Sequence, residues 1–136
     1  MKNTPTQIIL HHDGVTREGD SFDVINRYHK EKFGVESSLG FFVGYHYLIE
    51  KSGAVRQARM ENEEGVHTIG HNNDSIAICL AGNFDEEYPS GAQMESLGML
   101  LNQMCLQYHI NPENVVPHRK YANKSCYGNK LPAAWG

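Results

Sequence analysis

The chain lacks any apolar run approaching the roughly 20 residues that a membrane span needs. Its start, MKNTPTQ, has one lysine and then polar residues where a signal peptide would need an apolar stretch. No span and no export signal are expected, so the chain reads as a cytoplasmic product with no membrane partner. Excess positive charge is also missing. With 12 basic and 16 acidic residues the net charge is −4, which gives no field to attract a phosphate backbone and excludes nucleic acid as the expected partner. Cysteine is scarce. Cys79, Cys105 and Cys126 cannot all pair and lie in segments of different character, which argues against a disulfide scaffold. Repeats and low-complexity segments are absent. What remains is a 136-residue chain, 40% hydrophobic and 21% charged, of a size that builds one core. One domain over residues 1–136, working as a monomer, is expected.

The run TQIILHH is rich in branched apolar residues and breaks into the loop formers of DGVTREGD. It reads as a buried strand that delivers His11 and His12 to a loop edge. From Ser21, the residues Phe22, Ile25, His29 and Phe33 recur at helical spacing, with Ser or Asp as cap and Gly34 as stop. GYHYLIE and VRQA flank the turn KSGA as a hairpin, and alternation puts Tyr45 and Tyr47 on one face with His46 on the other. The polar stretch MENEEGVHTIGHNNDS reads as a functional surface loop, and IAICLAG as a central strand. A second helix carries Met94, Leu97, Leu101, Met104 and Tyr108 on one stripe, with Ser90 and Gln93 spaced as a capping box. NPENVVP offers a turn and a brief extended run. Alternating strands and helices predict an α/β fold: a single mixed sheet flanked by helices.

The tail gathers chemistry. HRKYANKSC holds His118, Lys124 and Cys126 in a segment with little core to build. Zinc binds thiolate and imidazole, and a catalytic site typically uses three protein ligands with the fourth position left for water. His118 and Cys126 supply two candidates. The histidines ending the first strand are the natural source of the third, because strand ends in mixed sheets converge on one edge. Neighbouring strand residues point to opposite faces, and both faces look apolar, so periodicity does not choose between His11 and His12.

Five segments in order, IILHHD, GYHYLIE, GVHTIGHNNDSIAICLAGNF, QMESLGMLLNQMC and NVVPHRKYANKSC, resemble the zinc-dependent N-acetylmuramoyl-L-alanine amidases. That family includes short phage lysozymes of amidase type and the peptidoglycan recognition proteins. The resemblance covers about residues 7–128 and implies the family's fold with one zinc per chain. It selects His11, with His118 and Cys126, as the zinc ligands. It implies that Lys124 stabilises the tetrahedral intermediate and that Tyr45 orients water or shuttles a proton. It puts His67 at the substrate groove, with Thr68 and Asn73 as peptide-stem contacts. One departure is Tyr127, which stands after the cysteine where the family usually has proline. His46, Cys79 and Cys105 read as packed core, while His29, His71 and His109 receive no role. Hydrolysis of the amide between N-acetylmuramic acid and L-alanine in peptidoglycan is implied, with no separate wall-binding domain. A phage endolysin that waits in the host cytoplasm and reaches the wall on lysis fits best. The competing class is a binding module, whose members commonly lose the cysteine ligand; Cys126 argues against it.

Overall fold

The computed structural model describes residues 3–15, 18–68 and 70–117. His118, Lys124 and Cys126 lie outside the described residues.

Among the described residues five strands form one mixed sheet: β1 (Gln7–His12), β2 (Tyr47–Ile49), β3 (Val55–Gln57), β4 (Ser75–Leu80) and β5 (Val115–Pro117), in the order β3-β2-β4-β1-β5. Strand β4 is central and entirely buried, as a continuous apolar run requires. It runs parallel to both β1 and β2, β5 runs parallel to β1, and only the β2–β3 hairpin is antiparallel. The helices among the described residues are α1 (Phe22–Lys32) and α2 (Gly91–Tyr108), and a 3-10 turn at Pro112–Asn114 leads into β5.

Strand alternation sorts the core into two clusters. Ile8, Leu10, Ile76, Ile78 and Leu80 pack with Leu97, Leu101 and Met104 of α2. On the other face Leu48, Cys79 and Ala81 pack with Phe22 and Ile25 of α1. Cys79 is fully buried, as expected, and Cys105 packs partly buried against the α2 cluster, where burial pushes its thiol pKa up.

The capping box of α2 forms as its spacing predicts: Ser90 Oγ accepts from the Gln93 N–H, and the Gln93 side chain accepts from the Ser90 N–H. Helix α1 ends at Lys32, and after the Phe33 cap comes Gly34, whose φ of 65° suits glycine. Its start departs from expectation. Ser21 sits at the cap position but makes no side-chain cap bond. The buried Glu50 carboxylate, arriving from the end of β2, accepts the Ser21 N–H at 2.8 Å and the Phe22 N–H at 3.0 Å.

A second departure concerns the tyrosines. Tyr47 packs into the α2 cluster, whereas Tyr45 packs against the α1 cluster. The strand begins only at Tyr47, and residues 44–46 form a bend. In that bend the His46 N–H bonds Ala77 O and the His46 carbonyl accepts from Ala58. The alternation that would have aligned the two tyrosines therefore never starts.

Candidate active site

His11 ends β1 on the α1 face, 1% exposed and paired in register with Cys79. Its ring stands 4.9 Å from that of Tyr45 and 5.0 Å from that of His67, the latter nearly perpendicular at 88°. His11 Nε2 and His67 Nδ1 are 3.0 Å apart. His12 points the other way. It stacks on Phe84, a member of the α2 cluster, and its Nδ1 accepts the Phe84 N–H at 3.1 Å. Burial pulls the His12 pKa down against the pull of Asp85 and Asp13. The two histidines thus diverge as strand neighbours must, and only His11 shares a face with Tyr45 and His67.

The loop between β3 and β4 is pressed onto the sheet edge. A Cβ at Gly44 would lie 2.0 Å from the Val66 carbonyl oxygen, and one at Gly65 would lie 2.5 Å from His67 Cδ2. Only glycine permits that approach. Asn72 Oδ1 accepts both the His67 and the Thr68 N–H at 2.8 Å. Thr68 is 2% exposed and its hydroxyl lies 2.9 Å from His67 Nδ1. Asn73 is exposed, and its carbonyl receives the Thr4 N–H. The neighbouring Asn72 is therefore the asparagine that holds the His67 loop, which spacing did not single out.

Two histidines assigned to packing or to no role support this arrangement. His29 Nδ1 accepts the Gly44 N–H at 2.8 Å and its ring lies 5.5 Å from that of Tyr45. Burial, helped by the charges of Lys32 and Arg59, lowers its pKa to about 4, so it works as a neutral acceptor. His46 is fully buried as expected, yet both ring nitrogens are engaged: Nδ1 accepts the Ala77 N–H, and Nε2 donates to the Glu63 carbonyl at 2.7 Å. Burial also lowers its pKa. Beside Tyr45 a groove of about 410 Å³ opens, lined by Asp13, Val15, Val24, Tyr28 and His29. Its walls are largely apolar, with one carboxylate near the site.

The sequence pattern of the N-acetylmuramoyl-L-alanine amidase family matches residues 1–129. This chain belongs to that family. Among its relatives, the endolysin of Escherichia phage T7 is 32% identical over 96% of this chain and 85% of that protein. The endolysin of Enterobacteria phage T3 is 31% identical over the same shares. A solved N-acetylmuramoyl-L-alanine amidase from Clostridium intestinale superposes with a TM-score of 0.82 at 31% identity, over 96% of this chain and 80% of that one. A bumblebee peptidoglycan recognition protein, at 24% identity and a TM-score of 0.81, shares the fold. Among the described residues of this amidase no group of three or more His, Cys, Asp or Glu side chains converges as a metal site. None of the described helices is long and apolar enough to cross a membrane.

Proposed function

We propose that the chain is a zinc amidase of the endolysin type, cleaving the amide between N-acetylmuramic acid and the L-alanine of the stem peptide in peptidoglycan. The convergence of His11, Tyr45 and His67 on the α1 face of the sheet beside an open groove carries this reading. His11, His118 and Cys126 are the zinc ligands of the proposal. Pro117 pairs with Leu10, the residue before His11. Strand β5 thus runs beside β1 up to the residue before His11, which supports the reading of His11 as a ligand. Two imidazoles and one thiolate form a donor set that suits zinc.

When bound, zinc polarises the scissile carbonyl and lowers the pKa of water to about 7. The Tyr45 phenol, held against His11, orients the attacking water or shuttles its proton. Lys124 offsets charge on the developing oxyanion. The groove along Val24, Tyr28 and Asp13 receives the stem peptide, and the His67 loop, with Thr68 and Asn73, supplies further contacts to it. Synthesis in the host cytoplasm and access to the wall on lysis complete the endolysin reading.

Digestion of purified peptidoglycan is expected to release new L-alanine amino termini without new reducing sugar ends, and chelation is expected to stop it. New reducing ends without free L-alanine termini would overturn the assignment, because glycosidases cut between the sugars.

A further inference from the structure

The hydroxyl hydrogen of Ser75 has one place to go. Ser75 Oγ lies 2.6 Å from the His71 carbonyl oxygen, and a carbonyl only accepts, so the hydroxyl donates there. The same Oγ lies 3.2 Å from His67 Nε2. With its single hydrogen engaged, the hydroxyl accepts at that contact and His67 Nε2 is the donor. A neutral imidazole carries one hydrogen, so His67 Nδ1 is bare.

Among the described residues that nitrogen faces the Thr68 hydroxyl at 2.9 Å and His11 Nε2 at 3.0 Å. Two bare nitrogens at such a distance would set lone pair against lone pair. His11 therefore carries its hydrogen on Nε2 and shares the His67 acceptor with Thr68, which leaves Nδ1 of His11 bare. Ser75 is 0% exposed, His11 1% and Thr68 2%. With water excluded, the wrong tautomer would leave buried polar atoms unpaired, which costs more in a low dielectric than in solvent.

We propose that Ser75 and His67 form a hydrogen-bond relay that fixes the tautomer of His11 and makes Nδ1 of His11 the nitrogen that binds zinc. This rests on the reading of His11 as a zinc ligand. Ser75 and His67 are then positioning residues. A metal-binding histidine commonly donates its second ring N–H to an acceptor that orients it. Here the acceptor is another histidine, whose own tautomer is set one hydrogen bond further away.

Nitrogen-15 NMR of the zinc-loaded protein at about pH 8, where a free imidazole is neutral, reads both rings. The expected spectrum has hydrogen on Nε2 of His67 and of His11, with both Nδ1 atoms unprotonated. Hydrogen on Nδ1 of either ring overturns the relay, and this wild-type result decides even where a variant does not fold. Ser75→Ala is expected to mix the His67 tautomers and to weaken zinc binding roughly 10- to 100-fold, as measured by chelator competition. Ser75→Thr, which keeps the hydroxyl, is expected to restore both. An unchanged His67 tautomer in Ser75→Ala would also overturn the proposal. Protein that takes up no zinc yet shows these tautomers removes the zinc reading and leaves the relay. Zinc-loaded protein with the opposite tautomers removes the relay and leaves the zinc reading.

Discussion

On the α2 face of β1, Ile8 and Leu10 run into Ile76, Ile78, Leu97 and Met104. On the α1 face of the same strand, Ile9 leads to His11 beside Tyr45 and His67. The first face needs only matched volume, since close-packed methyl groups stabilise through burial and dispersion. The second needs a partner for every polar atom it buries. Arg59, 2% exposed, donates to the carbonyls of Val43 and Val35, and His46 is held between Ala77 and Glu63. Apart from the Ala77 N–H of β4, those partners come from irregular backbone in residues 35–46 and 59–74. The contrast teaches why the α1 face is flanked by loops: regular elements consume most of their own N–H and C=O groups and have few to offer a buried ring.

The sharpest way to break this comparison is to exchange neighbours across it. His11→Ala is expected to abolish zinc binding and reduce turnover to background. His12→Ala should keep its zinc and cost about 1 kcal/mol of stability, the worth of one hydrogen bond. Metal analysis with a denaturant midpoint tests both, and loss of zinc from His12→Ala would put the register off by one residue. Next in size is the α2 face itself. Leu97 is fully buried, and Leu97→Ala should cost about 3 kcal/mol, while the protein that remains folded binds zinc as before. Zinc loss in that variant would mean that the two faces are not independent.

The two faces also differed in how far the chain announced them. IILHH, the Ser90 and Gln93 pair and the KSGA hairpin are local signals, and the structure carries them through, with the hairpin's first strand shortened to Tyr47–Ile49. His11, His67 and Tyr45 came from their likeness to a family, and the structure brings those three together. The roles of Glu50, Asn72 and His29 had no local signal. Each exists because the backbone of one segment closes on another far away in sequence, as Val66 does on Gly44. Tyr45 and Tyr47 were misaligned for the same reason: long-range bonds at His46 replaced the strand pleat.

Acid sharpens the contrast from the α1 side. The His29 pKa falls from 6.5 to about 4 on folding, so between those values the unfolded chain binds the extra proton. Stability from His29 is therefore complete above the unfolded pKa and is lost as pH falls through it toward the folded one. The expected loss between about pH 7 and pH 5 is about 2 kcal/mol. His29→Gln, which keeps an acceptor for the Gly44 N–H, should remove that part of the slope in denaturant midpoints. A slope unchanged by the substitution would mean that His29 is not held neutral.

The smallest effects separate the two helix starts. Ser90 and Ser21 are both serines at a helix N-cap, and a reading of local sequence treats them alike. At Ser90 the hydroxyl accepts the Gln93 N–H at 3.0 Å and donates to the Lys51 carbonyl at 2.6 Å, so Ser90→Ala should cost about 1 kcal/mol, the usual value of a lost cap. At Ser21 the cap comes from Glu50, whose two oxygens take the Ser21 and Phe22 N–H groups. Ser21→Ala leaves that carboxylate in place and should change stability by no more than about 0.5 kcal/mol, as substitutions away from such features do. Chemical denaturation of the two variants side by side reads the difference. Equal losses at both serines would mean that Glu50 does not cap α1, and the start of that helix would return to the local rule that its sequence suggests.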